Sequence, residues 1–311
     1  MNSFKSARGQ ATVLTVVFLT ALLGMAALVL DVGSWFRAHR DTQATADAAA
    51  LAGAQALPED PGTANALALK YAGANGGGLA AGDVAVSTDI VANDTISVHV
   101  KRDAPGFFSK LFGVNVVSVG ATAKARAENV GAARYVAPIA VFYKHEKLYG
   151  GPGGKPQFGS PTELDLADLH KPGSGDAAGA FGLIDLDPND NGSAGSGVLE
   201  DWILHGYSDA MPLGDYHSVP SAKFNSSQVK EGLDIRTGDV LLFPVYDRLT
   251  GPGDNAIFHV IGWVGFRVTG YDAHGSSGAV YGSFTRFIAE GLQSEDPSQP
   301  DYGVRTIQLV Q

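Results

Sequence analysis

Residues 9–30 read GQATVLTVVFLTALLGMAALVL, a run of 22 uncharged residues whose only polar members are threonines and Gln10. As a helix rising about 1.5 Å per residue, this run spans roughly 33 Å, enough to cross a hydrocarbon core of about 30 Å. Trp35 and Phe36 follow just past its end, where aromatic rings favour the bilayer interface. A cleaved secretory signal would have an apolar region of about 7–15 residues closed by a small-x-small site. This run is longer and passes directly into a helical pattern, so an uncleaved anchor is expected. A secreted binding domain after signal cleavage is the alternative, and N-terminal sequencing separates the two. Lys5 and Arg8 lie on one side of the run, Arg37 and Arg40 on the other, so the positive-inside count is tied. The short N-terminal tail and large downstream body favour N-inside, C-outside.

Beyond the run, WFRAHRDTQATADAAALAGAQAL is alanine-rich and reaches Leu57 before the first proline, Pro58. Alanine is the strongest helix former, so the anchor helix is expected to continue to about Leu57 as one rod. Ala46, Ala50, Gly53 and Leu57 fall on one face at 4-3-4 spacing, with Ala44, Ala48, Leu51 and Gln55 on an adjacent one. A face of small residues allows close backbone approach. Its occupant is either a partner helix or the chain's own downstream domain, which periodicity alone does not distinguish.

The ordered set Arg8-Gly9-Gln10, Asp31-Val32-Gly33, Gln43 and Ala46-Asp47-Ala48-Ala49-Ala50-Leu51-Ala52 resembles the N-terminal segment of TadE/TadG-like proteins of bacterial Flp (tight-adherence) pilus assembly. The resemblance implies a protein anchored in the inner membrane, with its C-terminal domain extracytoplasmic and with pilus or secretion assembly proteins as partners. Two features of such proteins are missing. Prepilin-type processing after a glycine goes with a glutamate five residues on, and here that position is Leu14. The Asp-x-Ser-x-Ser metal loop of some TadG-like proteins does not occur.

The expected fold class is α+β in three parts: the anchor and its helical extension over 1–57, a small α+β module over 58–130, and a β-rich domain over 131–311. In the module, Thr63 is expected to cap a helix running to Ala74, and Asp83–Val91 and Thr95–Lys101 read as strands around the Ala92-Asn93-Asp94 break. Pro105–Phe112 suits a short helix with Phe107, Phe108, Leu111 and Phe112 turned inward, before a strand or strand pair from Val114 to Glu128. In the last part, Val136–Tyr143, Gly182–Leu186, Asp239–Tyr246, Ile257–Thr269, Ala279–Ala289 and Val304–Gln311 read as strands, and Leu199–Tyr207 as a helix. Short strands broken by glycine turns suit a barrel or a sandwich equally.

Composition excludes several function classes. The chain has 311 residues, no cysteine and a net charge of −10. Disulfides, a thiol nucleophile and a cysteine zinc site are therefore absent. Residues 131–311 carry 12 basic and 22 acidic side chains, an acidic surface that repels phosphate backbones, so no nucleic-acid partner is expected. Catalytic patterns are incomplete throughout. His145-Glu146 opens like a zincin helix, but Tyr149 stands where the second histidine belongs. Gly150–Lys155 lacks the first glycine and the closing hydroxyl of a phosphate loop, and Gly275-Ser276-Ser277-Gly278 lacks nucleophile-elbow spacing. His259 reads as a hydrogen-bonded core residue. No enzyme, and no small-molecule substrate, is expected. A membrane-tethered envelope hydrolase with a site in the C-terminal domain is the alternative from another class.

One motif has ligand chemistry. Asp187-x-Asn189-x-Asn191-Gly192, preceded by Asp185, matches the opening of an oxygen-rich calcium loop, with Val198 where the closing bidentate acid belongs. Asp185, Asp187, Asn189 and Asn191 are thus candidate weak calcium ligands, against the alternative of a turn whose side chains bond their own backbone. No other cofactor is expected.

Overall fold

In a computed structural model, the protein is described over residues 5–151, 154–165, 181–189, 192–251, 256–274, 277–294, 296 and 298–310. The elements in order are helices α1 (Lys5–Ala54) and α2 (Pro61–Ala74), strands β1 (Val84–Ser87), β2 (Thr95–Pro105), β3 (Val116–Ala133) and β4 (Ile139–Phe142), and helix α3 (Glu146–Tyr149). Then come β5 (Thr162–Asp165), β6 (Phe181–Leu183), α4 (Ser196–Leu204), β7 (Met211–Pro212), β8 (Gly214–His217), α5 (Ser227–Arg236), β9 (Val240–Thr250), β10 (Ile257–His274), β11 (Ser277–Thr285), β12 (Phe287–Ile288), β13 (Gly291–Gln293) and β14 (Val304–Val310). The class is α+β. The chain divides into two compact units, one of residues 1–127 with 307–311, the other of residues 128–306.

The first unit lays two helices on a small antiparallel sheet. At 50 residues, α1 is a single helix about 75 Å long. Its apolar half is exposed all round, including Val13 at 64%, Phe18 at 66% and Val29 at 69%, which is the pattern of a helix whose solvent is lipid. Its alanine half is buried, with Ala46, Ala49, Ala50 and Ala54 fully covered. α2 meets it through Ala64, Ala68 and Ala72, a stripe at four-residue spacing that lets two backbones approach closely. Its N-cap is Asp60, not Thr63: the Asp60 carboxylate accepts the Thr63 N–H at 2.9 Å and the Thr63 hydroxyl at 2.6 Å. Pro61 occupies the first helical turn, where its missing N–H has no intrahelical partner to lose.

Beneath the helices, β2 and β3 form a long hairpin from Thr95↔Arg126 to Pro105↔Val116, and β1 pairs with β2. Ile96, Val98 and Val100 of β2 and Ala121, Ala123 and Ala125 of β3 turn the same face to the helices, the period of two expected of a half-covered sheet. At the far end of β2 the loop is fixed by Asp94, which is fully buried. Its carboxylate accepts N–H bonds from Asp89, Ile90 and Val91 at 2.7–2.9 Å and the Thr95 hydroxyl at 2.8 Å. Burial alone would raise the Asp94 pKa, but these donors hold it below the usual carboxylate value.

The expected inward-facing helix at Pro105–Phe112 is not formed. Ser109–Phe112 is a single 3-10 turn at the hairpin tip, and Phe107, Phe108, Leu111 and Phe112 are exposed by 61%, 42%, 82% and 84%. The turn lies past the cluster of Ile96, Val98, Val100, Ala121, Ala123 and Ala125 packed under the helices, so no core is there to receive the rings.

The second unit is β-rich. One path of strands runs β5-β11-β10-β9-β4-β6, with β8 pairing the start of β10. All neighbours on it are antiparallel except β4 with β9. β10 is 18 residues long and changes register between His259 and Gly262 and again between Val268 and Gly270, irregularities of the kind that bend a strand and increase its twist. Phe243, Tyr246, Phe258, Phe266 and Phe284 fill its core. α4 packs Leu199, Trp202 and Ile203 inward. Gly232 of α5 packs closely on α4: a Cβ there would sit 3.2 Å from the Ile203 Cγ2.

Candidate functional site

The features singled out by the sequence lie in two places. The first is α1. The stripe Ala46, Ala50, Gly53 and Leu57 is buried as a whole, and its occupant is the chain itself. A Cβ on Gly53 would stand 2.5 Å from the Ile96 Cδ1, 2.9 Å from the Ala64 carbonyl oxygen and 3.3 Å from the Ala68 Cβ. The stripe is therefore the seat of α2 and β2 and is not open to another helix. The adjacent residues Ala44 and Gln55 are exposed. Gln43 ties the helix to the sheet, donating through Nε2 to the Thr122 carbonyl at 3.3 Å and to Asp47 Oδ1 at 2.7 Å.

Asp31, at the end of the apolar run, has a role that sequence reasoning did not assign. Its side chain is 1% exposed and accepts the backbone N–H groups of Phe107 at 2.9 Å, Phe108 at 3.1 Å and Ser109 at 2.5 Å. Three successive amides directed at one carboxylate form an anion-binding concavity. Here it fastens the hairpin tip to the helix. The tip is closed on itself as well: Gly106 N–H donates to the Asn115 carbonyl, Val114 N–H to the Ser109 carbonyl and Ser109 Oγ to the Val114 carbonyl. Gly113 takes the left-handed conformation at φ 85°. The lengths agree. From Gly53 to Asp31 the helix rises about 33 Å, and β2 from Ile96 to the tip covers a similar distance at about 3.3 Å per residue. The only sequence sign of this clamp was a lone acid at the border of an apolar run.

The second place is the Asp185 turn. Asp185 is buried, and its oxygens accept the N–H groups of Asp187 at 3.1 Å and Ala194 at 3.2 Å. Asp187 Oδ1 accepts from the Asn189 backbone at 2.9 Å and from the Asn189 side chain at 3.0 Å. Asn191 lies outside the described residues, as do Gly275 and Ser276. Among the described residues no group of three or more His, Asp or Glu is placed to hold a metal ion.

His145 is 2% exposed and caps α3. Its Nδ1 accepts the Lys147 N–H at 3.1 Å, which leaves Nε2 to donate to the Glu163 carbonyl at 3.2 Å. Both ring nitrogens are thus engaged as in the neutral form, and burial pushes the pKa down. His259 is partly exposed, and its Nδ1 pairs with Asp215 Oδ1 at 2.7 Å.

With this geometry in place, the comparisons with known proteins bear on α1 alone. No curated protein and no solved structure matches the chain. The model of the Tad family, Flp pilus-assembly TadE/G-like proteins, matches residues 9–56. That match begins with the apolar run and ends just past the buried alanine stripe. Residues 9–56 are thus similar to the TadE/G-like pilus-assembly family, and they lie on a helix long and apolar enough to cross a membrane.

Proposed function

We propose that the protein is a single-pass component of Flp/Tad-type pilus assembly, or of a related secretion apparatus. It is anchored in the bacterial cytoplasmic membrane by residues 9–30, with the rest of the chain extracytoplasmic. It acts through protein–protein contacts and not by catalysis. The observation that carries this reading is the coincidence of the TadE/G-like match with one unbroken helix, exposed and apolar in its first half and packed into a folded unit in its second. A helix built this way ties the position of the membrane to the folded unit that its second half packs into. The acidic residues of 131–311 supply a surface for partners of complementary charge. Asp185 acts as a turn staple, its oxygens accepting the backbone amides of Asp187 and Ala194.

The test is in vivo crosslinking from an exposed position of the second unit, such as Ile235, which is 61% exposed. Adducts with pilus or secretion assembly proteins, together with loss of pili on deletion of the gene, are expected. Normal piliation without the protein, and no adduct, would contradict the assembly role. Isothermal titration with millimolar calcium is expected to give no heat.

A further inference from the structure

We propose that the hairpin tip at Gly106–Val116 is a second membrane contact, with Phe107, Phe108, Leu111 and Phe112 entering the interfacial layer of the leaflet from which α1 emerges. The inference rests on the reading of α1 as the anchor. Four large apolar side chains within six residues are exposed at one turn, and a cluster of that kind marks an interaction surface. Asp31 identifies the occupant. It immediately follows the last residue of the apolar run, and it binds the amides of Phe107, Phe108 and Ser109. The tip is therefore held where the helix leaves the hydrocarbon. Aromatic rings are most favourable at that depth, with their apolar bodies among acyl chains and headgroups. Lys110, exposed on the same turn, can meet anionic headgroups while its stem lies along the apolar surface. Two attachments, one spanning and one interfacial, would fix the tilt and rotation of the first unit on the membrane, which one helix alone leaves free.

The chain has no cysteine, so single cysteines report single positions. The full chain is reconstituted in vesicles of phosphatidylcholine and phosphatidylglycerol with a nitroxide at Leu111→Cys or Phe112→Cys. Collision with oxygen, which concentrates in lipid, is compared with collision with a water-soluble nickel chelate. Leu19→Cys marks the bilayer interior, and Ile90→Cys marks the opposite end of β2. The oxygen-to-nickel ratio at 111 and 112 is expected to be several-fold above that at 90 and below that at 19. Asp31→Ala should lower the ratio at 111 and leave position 19 unchanged. A ratio at 111 and 112 equal to that at 90, with 19 deep, would overturn the tip inference and leave the anchor standing. Labels shielded from both reagents would mean that protein covers the tip, which also overturns it. A shallow position 19 would overturn the anchor, and this inference with it.

Discussion

The two units build their interiors from different residues. The first closes around alanine, with Ala46, Ala49, Ala50, Ala64, Ala68, Ala72, Ala121, Ala123 and Ala125 buried and Leu57, Val84, Ile96, Val98 and Val100 adding larger volume. The second closes around rings. Phe243 and Phe266 stack at 5.4 Å, Phe266 meets Phe284 edge-on at 5.3 Å, and Tyr246 meets Phe258 at 4.8 Å. Alanine gives little transfer energy per residue but lets helices and strands approach closely, so position is specified by steric limit. Aromatic residues supply large buried area and tolerate some adjustment. The difference fits the tasks proposed here. The first unit continues a membrane helix and gains by holding it in one orientation, whereas the second must be stable by its own packing.

Four predictions test this contrast, beginning with the largest effect. Leu22→Arg with Leu23→Arg puts two charges near the bilayer centre, each costing about 2.5–3.5 kcal/mol for insertion. The double variant should leave the membrane fraction in carbonate, and retention would show that the run is not the anchor. Phe266→Ala should destabilise the second unit by about 3–5 kcal/mol through loss of buried area and the cavity left behind. Denaturant unfolding followed by hydrogen exchange should locate that loss in residues 128–306, with the first unit unaffected.

Gly53→Leu sharpens the comparison from the other side. Replacing glycine gains at most about 1 kcal/mol of helix propensity. The new side chain, however, meets Ile96 and the Ala64 carbonyl at distances no real Cβ occupies. Overpacking of roughly 1–3 kcal/mol should win, and amides of α2 and β2 should exchange faster. Faster exchange elsewhere, or none, would mean that the alanine seat is not under steric limit. Gln43→Leu, off the stripe, should cost less.

The units should also differ in acid. Buried His145 holds its proton more weakly than it would in the unfolded chain. Unfolded protein therefore gains protons first as pH falls, and stability of the second unit declines once pH drops below about 6.5. Asp94 has a lowered pKa, so its contribution is intact above about pH 3.9 and is lost only as pH falls below that through its folded value. Urea midpoints between about pH 7 and pH 5 should drop for the second unit and hold for the first. His145→Gln should flatten that decline, and an unchanged slope would place its origin elsewhere.

Much of the fold could be read from the sequence where the signal was local. The long apolar helix was plain in 22 uncharged residues, and β9, β10 and β14 followed from runs of apolar and β-branched residues. The module's aromatic turn was misread because hydrophobicity predicts burial but does not say whether a hairpin tip reaches past its core. α5 was missed because SQVKEGLDIR shows only a short apolar face, Val229 and Leu233, beneath a polar surface. β5 was missed because Thr162–Asp165, reading TELD, alternates too briefly and is half acidic. Asp31 could be noticed but not interpreted, since its partners lie 76–78 residues away. The small stripe was visible too, but which element fills it is a tertiary fact.

The central claim is that residues 9–30 remain attached and hold the rest of the chain at the membrane. Alkaline carbonate extraction of cells making the unaltered protein, followed by N-terminal sequencing, tests it most directly. The account predicts a chain in the membrane pellet that still contains residues 9–30. A soluble chain beginning after Leu30 would contradict it.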